Sequence, residues 1–364
     1  MDHQKCTACS VCDMDVILGG IEGGATHSKV VLFNGKGEKL VQCGGPGTNH
    51  WILGISECQL RINKMVEDAK REANIPLNSP LTALGMSLSG CEQEETNNQL
   101  KDGLQSKYPN LSNNYVVCSD TVGSIAAAHE HGGMVLIAGT GSNALLLNPN
   151  GTVKRCGGWG HMLGDEGAAW WISQKAVKIY FDDADNFVKA PYNTDCVWKA
   201  IKEHFGVKER DELLKHCYSD FDKSHFAGLC KLLAEGAKNG DDLCLWLFSQ
   251  AGRALAGFVR ALVPHAHNSL FPDLGGLPVV CVGSVWLSWE YLKPGFIKHL
   301  QEPPRNNEKP IEELSLLRLT TSMAVGATYL AAKSVNYNLP RNYQNNYTVF
   351  FHYKRNEINR GLID

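Results

Sequence analysis

The sequence lacks the features that mark membrane-spanning and nucleic-acid-binding chains. No window holds ~18 consecutive apolar residues, so no membrane span is expected. The net charge is -3, which leaves no basic excess to attract nucleic acid or an anionic membrane surface. The first residues show no basic segment followed by an apolar one, so a secretory signal is not expected. These absences predict a cytoplasmic globular chain without nucleic-acid or membrane partners.

The cysteines do not form a disulfide framework, and two phosphate-binding signatures are missing. The 13 cysteines are an odd number at scattered positions, which is typical of a reduced chain with thiols in its core. Cys6, Cys9 and Cys12 could bind a metal or cluster, but residues 1–14 are predicted to be a disordered extension. No G-x-x-x-x-G-K-[ST] or H-R-D motif occurs, which excludes P-loop enzymes and protein kinases.

A glycine-rich hairpin is the first positive feature. Apolar runs on both sides of a tight turn predict two paired strands within residues 16–33. In the turn, Gly23 and Gly24 permit a positive φ and the approach of a phosphate to bare backbone, and Thr26 adds a hydroxyl. The same pattern of strand, glycine-threonine turn and strand recurs roughly a hundred residues later, with Gly139 and Thr140 in the turn. The repeat indicates an internal duplication, and the two turns could bind the phosphates of one nucleotide.

The predicted order of elements in the first half is β-β-β-α-β-α-β-α, which favours a mixed sheet covered by helices. The predicted fold class is α/β, with two duplicated domains, each with a mixed five-stranded sheet flanked by helices, and a cleft between them. The predicted domains are residues 15–128 and 129–340, with a C-terminal tail at 341–364. In the second half, helices are predicted at 166–181, 197–205, 224–238, 243–262 and 319–333, and a buried strand at 277–283.

Asp120 is the best catalytic candidate in the sequence. It follows a short buried strand and precedes a small-residue helix, so its carboxylate is expected at the carboxyl end of the sheet. Phosphoryl transfer to an alcohol needs a group that accepts the hydroxyl proton. The alternative is a purely structural role as the N-cap of the next helix.

The glycine-rich loop at residues 156–167 is the second dense candidate. Asp165 and Glu166 are expected to open a helix, where carboxylates are favoured. Together with His161 and Trp159 they offer hydrogen bonds to hydroxyls and an apolar ring face, as a sugar site does. The alternatives are helix capping for Asp165, a structural hydrogen bond for His161 and core packing for Trp159. Cys156 and His161 alone are too few for a zinc site.

Five motifs stand in the order found in the N-acetylglucosamine kinases of vertebrates, which the chain resembles over residues 15 to 340. These motifs are Gly20-Ile-Glu-Gly-Gly-Ala-Thr26, Ser119-Asp-Thr-Val-Gly-Ser124, Gly139-Thr-Gly-Ser-Asn143, the run at residues 157–167, and Val282-Gly-Ser-Val-Trp286. The run at 157–167 and Thr48-Asn-His-Trp51 are specific to these kinases. The glycine-threonine turns alone indicate only the wider superfamily of sugar kinases, heat-shock chaperones and actin.

The resemblance implies that the two domains are actin-like. It also implies ATP and Mg²⁺ as cofactors, phosphorylation of the 6-hydroxyl of N-acetylglucosamine, activity on N-acetylmannosamine, and a homodimer. It implies that Asp120 is the general base. The implied sugar contacts are Asn49, Asp120, Gly158, Trp159, Gly160 and Asp165. The implied nucleotide contacts are Gly23, Gly24, Thr26, Gly139 and Thr140 for the phosphates, and Ala227, Gly228, Gly283 and Ser284 for the adenosine. No resident metal site is implied, since the zinc-binding cysteine cluster of related bacterial kinases is absent.

Two other functions stay open from the sequence. One is an ATPase of the same superfamily that activates a partner enzyme and holds an iron–sulfur cluster at a dimer interface. The other is a sugar sensor that binds N-acetylglucosamine without releasing ADP. The pairing of Asp165 and Glu166 with Trp159 favours a sugar, and Asp120 favours catalysis.

Overall fold

The computed structural model describes residues 16–24, 26–272, 275–304 and 310–355. The run of Cys6, Cys9 and Cys12 therefore lies outside the described residues. Contacts divide the chain into two units, Met1–Glu130 with Leu319–Thr348, and His131–Arg318 with Val349–Asp364. This division differs from the contiguous domains expected from the sequence, because a late segment packs on the first sheet.

The first unit is a five-stranded mixed sheet in the order β3-β2-β1-β4-β5. Its strands are β1 (Ile17–Gly23), β2 (His27–Asn34), β3 (Lys39–Pro46), β4 (Ala83–Leu88) and β5 (Tyr115–Ser119). The pairs β1–β2 and β2–β3 are antiparallel, and β1–β4 and β4–β5 are parallel. The prediction of antiparallel early strands and parallel later ones is thus confirmed for this sheet.

Helices cover both faces of the first sheet. They are α1 (His50–Leu53), α2 (Ile55–Glu72), α3 (Glu94–Lys107), α4 (Asp120–Ala128) and α11 (Met323–Ser334). Helices α2 and α3 share one apolar core with the sheet, and α11 shares a second core that includes Leu18 and Val31. A Cβ at Gly20 or Gly85 would collide with the Ala324 or Ala327 carbonyl, so bare strand backbone is what lets α11 approach.

The second unit repeats this topology with one additional strand. Its order is β11-β10-β9-β6-β7-β8, with β6 (Gly133–Ala138), β7 (Ser142–Leu147), β8 (Val153–Gly157), β9 (Leu277–Val282), β10 (Glu313–Leu319) and β11 (Tyr347–Lys354). The pairs β6–β7 and β7–β8 are antiparallel, and β6–β9 and β9–β10 are parallel, as in the first sheet. The expected five strands become six here, because part of the predicted tail forms the edge strand β11.

The helices of the second unit form one large apolar core with its sheet. They are α5 (Ala169–Ala184), α6 (Asp195–Phe205), α7 (Leu213–Cys217), α8 (Lys223–Lys238), α9 (Asp242–Leu262) and α10 (Trp289–Gln301). Short 3₁₀ turns occupy Arg210–Glu212, Val263–His265, Asn268–Leu270, Ser284–Ser288 and Tyr343–Asn346. Within the described part of the chain, none of the helices combines the length and apolarity that a membrane crossing needs.

Candidate active site

The first glycine-threonine turn joins β1 to β2, as expected. The Gly24 amide donates to the His27 carbonyl at 3.0 Å, and the Thr48 amide donates to the Gly24 carbonyl at 3.0 Å. The side chain of Thr26 is exposed. Gly23 and Gly24 do not use the positive φ that glycine permits, since neither is among the described glycines with a positive φ. Gly23 is required instead because a Cβ there would collide with the Thr48 hydroxyl.

Asp120 lies where the end of β5 meets the start of α4. It is the first residue of the helix, and Ser119 is the N-cap, so the capping alternative does not describe its position. Burial raises the pKa of the Asp120 carboxyl above its ordinary value of 3.8, and the nearby charges of Glu92 and Glu22 raise it further, against a backbone hydrogen bond from Thr121. A half-buried carboxylate with a raised pKa is a better proton acceptor than an ordinary surface aspartate.

Asn49 lies in the same unit and has a local structural role. Its side-chain oxygen accepts from the Trp51 amide at 2.9 Å and caps helix α1. The Trp51 indole donates to the Gly90 carbonyl at 2.9 Å, so the loop after β4 holds this helix in place. With its oxygen engaged, Asn49 can offer its amide hydrogens to a ligand.

The second glycine-threonine turn joins β6 to β7, and segments from later in the chain pack around it. The Gly139 carbonyl accepts from the Ala169 amide at 2.9 Å, and the Thr140 carbonyl accepts from the Trp170 amide at 3.2 Å. Gly283 has φ 109°, and a Cβ there would collide with the Ala138 carbonyl. This turn, the start of α5 and the end of β9 therefore meet at one edge of the second sheet.

A cavity of about 460 Å³ opens beside this turn. Its lining residues come from the turn and from helices that follow it: Thr140, Ala169, Ser224, Ala227, Gly228, Cys230, Lys231, Ala234, Ser284, Val285, Leu287 and Ser288. Four of the predicted nucleotide residues, Thr140, Ala227, Gly228 and Ser284, thus come together around one space. Its volume lies within the range of ~300–1,000 Å³ that small-molecule sites occupy.

The glycine-rich loop after β8 presents an exposed aromatic ring. Gly157, Gly158 and Gly160 all have positive φ, between 73° and 83°, so these positions need glycine. Trp159 between them is 63% exposed, and the Arg155 guanidinium lies 4.5 Å from its ring centroid. Because Trp159 is this exposed, the core-packing alternative is excluded. The ring face away from Arg155 is open and suits contact with the apolar face of a sugar.

Asp165 is the best-fixed residue of this loop. It is 3% exposed, one oxygen accepts from the Ser142 amide at 3.0 Å, and the other pairs with the Lys223 ammonium at 2.7 Å. The expectation that Asp165 and Glu166 open a helix is wrong, because α5 begins at Ala169. Asp165 has φ 66° and lies in the turn before that helix, where it holds the loop against the Gly139–Ser142 turn.

His161 packs against aromatic rings. Its ring centroid lies 5.1 Å from that of Trp170 and 5.4 Å from that of Phe221. These contacts give His161 a packing role on the inner side of the loop.

Asn143, the last residue of the motif Gly139-Thr-Gly-Ser-Asn143, is a further candidate site residue for which the sequence predicted no role. A Cβ at Gly158 would lie 3.0 Å from the Asn143 side chain, so the amide faces the glycine-rich loop. Its side-chain oxygen is buried and has no hydrogen-bond partner. A buried acceptor without a donor is costly unless a ligand supplies one. Its place in the strand directly after the turn was the available signal.

Two sheets with the same strand order and directions, each with a glycine-threonine turn in its first hairpin, define a duplicated actin-like ATPase fold. A family model described as the BadF/BadG/BcrA/BcrD ATPase family matches residues 20–314. The chain belongs to this family of ATPases.

Two relatives and one solved structure are similar to the chain over most of its length. An N-acetyl-D-glucosamine kinase of Dictyostelium discoideum is 24% identical over 257 residues, covering 68% of this chain and 79% of the relative. An N-acetylmuramic acid/N-acetylglucosamine kinase of Clostridium acetobutylicum is 25% identical over 251 residues, covering 67% of this chain and 78% of the relative. The crystal structure of a proposed N-acetylglucosamine kinase from Chromobacterium violaceum has a TM-score of 0.65 at 24% identity. The match covers 87% of this chain and 99% of that structure's chain. The likeness in structure confirms the predicted fold class.

Proposed function

We propose that the chain is an ATP-dependent kinase that phosphorylates N-acetylglucosamine. The family of ATPases and the names of the relatives support ATP as the phosphoryl donor and an amino sugar as the acceptor. The observation that carries the proposal is the cavity in the second unit, where residues expected to bind adenosine surround a space of about 460 Å³. A membership in this family alone would equally suit an ATPase that activates a partner.

In this proposal Asp120 acts as the general base toward the 6-hydroxyl of the sugar. The hydroxyl oxygen forms a bond to the γ-phosphorus, its proton passes to the Asp120 carboxylate, and the bond from that phosphorus to the ADP oxygen breaks. The raised pKa of Asp120 brings its proton affinity closer to that of the reacting oxygen in the transition state.

The proposed nucleotide contacts are divided between the two turns and the cavity. Gly23, Gly24 and Thr26 of one turn and Gly139 and Thr140 of the other bind phosphate oxygens through amides and hydroxyls. Ala227, Gly228, Gly283 and Ser284 hold the adenosine. This last set is supported by the cavity, which three of its members line, and by Gly283, which packs on the turn itself.

The proposed sugar contacts are Asn49, Gly158, Trp159, Gly160 and Asp165, beside Asp120. Trp159 offers an open ring face, and the positive-φ glycines around it leave backbone amides free of side chains. Asp165 accepts a hydrogen bond from a sugar hydroxyl at the oxygen that now pairs with Lys223, whose side chain is partly exposed. N-acetylmannosamine is proposed as a second acceptor.

Three further properties belong to the same proposal: Mg²⁺ dependence, a homodimer and a cytoplasmic location. Mg²⁺ prefers carboxylate and phosphate oxygens. Glu22 lies in β1 beside the first turn, and its charge interacts with that of Asp120, so its carboxylate would hold the ion. When bound, Mg²⁺ would neutralise phosphate charge.

The test is an ADP-release assay over a panel of hexoses and N-acetylhexosamines. The position of the phosphate in each product is determined by ³¹P–¹H correlation NMR. We expect N-acetylglucosamine to give the highest kcat/KM, with phosphate on the 6-oxygen. ADP release that is independent of every sugar would favour a partner-activating ATPase. A brown colour after anaerobic purification would add an iron–sulfur cluster to that reading. Sugar binding without ADP release would identify a sensor.

A further inference from the structure

Two thiols and a carboxylate form a compact cluster in the second unit. The sulfurs of Cys196 and Cys244 and a carboxylate oxygen of Asp241 all lie within 4.8 Å of one another. Within residues 16–24, 26–272, 275–304 and 310–355, no other three His, Cys, Asp or Glu side chains bring their ligand atoms together in this way. None of the three lines the 460 Å³ cavity, and none belongs to the loop at 157–167.

Three helices build the cluster. Asp241 is the N-cap of α9, and its carboxylate accepts from the Cys244 amide at 2.9 Å, so these two side chains are fixed to each other. Cys196 lies in the first turn of α6. Gly236 of α8 makes the space, because a Cβ there would lie 2.8 Å from the Cys244 sulfur and 3.0 Å from the Cys196 sulfur.

We propose that Cys196, Asp241 and Cys244 bind one Zn²⁺ ion or a similarly soft divalent cation. Two thiolates and a carboxylate are ligands that tetrahedral zinc accepts. With Zn–S near 2.3 Å and Zn–O near 2.0 Å, tetrahedral ligand atoms stand roughly 3.5–3.8 Å apart. The three ligand atoms already lie within 4.8 Å of one another, so they need to approach by at most about 1 Å to reach this spacing. Cys196 and Asp241 are partly exposed, so the ion can enter and a water can complete the coordination.

The charge balance is consistent with a bound cation. Binding releases two protons to solvent and leaves two thiolates and one carboxylate around a doubly charged ion. The residual negative charge lies at the N-terminal ends of α6 and α9, where helix dipoles favour it.

Binding of the ion would stabilise the packing of the helices around it. The ion would link α6 to α9 across Gly236, near the end of α8, whose earlier residues Ala227 and Gly228 line the cavity. A cation that binds only the folded chain raises its unfolding temperature in proportion to the logarithm of cation concentration. This role is independent of the proposed kinase activity.

The experiment uses the full chain with Cys6, Cys9 and Cys12 changed to Ser, which removes other clustered thiols. Co²⁺ is titrated while the thiolate-to-cobalt charge-transfer absorption is recorded, and Zn²⁺ is then added as competitor. We expect one Co²⁺ per chain, displacement by Zn²⁺, and a Tm that rises with added Zn²⁺. Cys196→Ser should abolish the absorption and the Tm response. Asp241→Asn keeps a residue suited to the N-cap and should weaken binding more than ~10-fold.

The matched control is Cys217→Ser, which removes an exposed thiol of the same unit and should leave the titration unchanged. Absence of the charge-transfer band in the parent background would overturn the proposal. So would a band that persists in Cys196→Ser, or loss of the two thiols to a disulfide under the titration conditions without metal uptake.

Discussion

Replacing Asp120 by Asn separates its role as a base from any role in the fold. Asn keeps the shape of the side chain but cannot accept the hydroxyl proton, so kcat should fall by about 10²–10⁴-fold. ATP affinity should stay within about 2-fold, because the variant leaves the cavity residues of the second unit untouched. The assays are steady-state ADP release and calorimetric titration of a non-hydrolysable ATP analogue.

The pH profile gives the same prediction a second, independent measurement. The base must be ionised, so activity is lost as pH falls through the pKa of Asp120, which burial and Glu92 raise above 3.8. Glu92→Gln removes one like charge, and the acid limb should move to lower pH. Glu95→Gln is the matched control, since Glu95 is another exposed carboxylate of the same region and is not among the charges acting on Asp120.

Stability distinguishes a catalytic carboxylate from a helix-terminal one. A carboxyl whose pKa is raised in the folded state makes the fold less stable as pH rises from the unfolded toward the folded pKa. Asp120→Asn should therefore leave the Tm at neutral pH unchanged or raise it. A carboxylate that mainly serves the helix N-terminus would instead contribute about 0.3–1 kcal/mol that the variant loses. A lower Tm together with near-normal turnover would refute the assignment of Asp120 as base.

Three other substitutions test the nucleotide site, the sugar site and the first core. Ala227→Phe fills the cavity and should raise the KM for ATP at least ~10-fold while sugar affinity, measured calorimetrically, holds. Trp159→Ala removes an exposed ring and should raise the KM for N-acetylglucosamine ~10-fold with an unchanged Tm. Gly85→Ala collides with the Ala327 carbonyl and should lower stability in urea by about 1–3 kcal/mol, whereas Gly44→Ala, with open space around its Cβ, should change little.

The sequence predicted the topology well where the signal was local. Strand runs bounded by glycine turns located both hairpins, and helical spacing located α6, α8 and α9 to within a few residues. It did not predict β11, because the segment Tyr347–Lys354 mixes polar and aromatic residues and pairs only at the edge of the sheet. An edge strand is selected by a partner distant in sequence, which no local pattern records.

The packing of α11 shows a second limit of local reasoning. Its small residues predicted a helix, and the structure confirms one at Met323–Ser334. Which sheet it covers is decided by Gly20 and Gly85, strand residues some 240 to 300 positions earlier, whose missing Cβ atoms admit its backbone. A glycine in a strand signals a close approach, but it does not identify the element that approaches.

The candidate site shows the same limit: the local sequence identifies a residue but not the residues that contact it from distant parts of the chain. The glycine-rich run identified Asp165 by its neighbours in sequence, yet Ser142 and Lys223, which bind its two oxygens, come from a strand and a helix on either side of it in the chain. Lys223 holds the oxygen that the proposal gives to the sugar. Lys223→Met should therefore increase sugar affinity if the ammonium only competes with a hydroxyl. It should decrease that affinity if the ion pair is what positions the loop. Asp165→Asn keeps the bond from the Ser142 amide but removes the ion pair, so in the first case it should mimic Lys223→Met in the Tm and not in sugar binding.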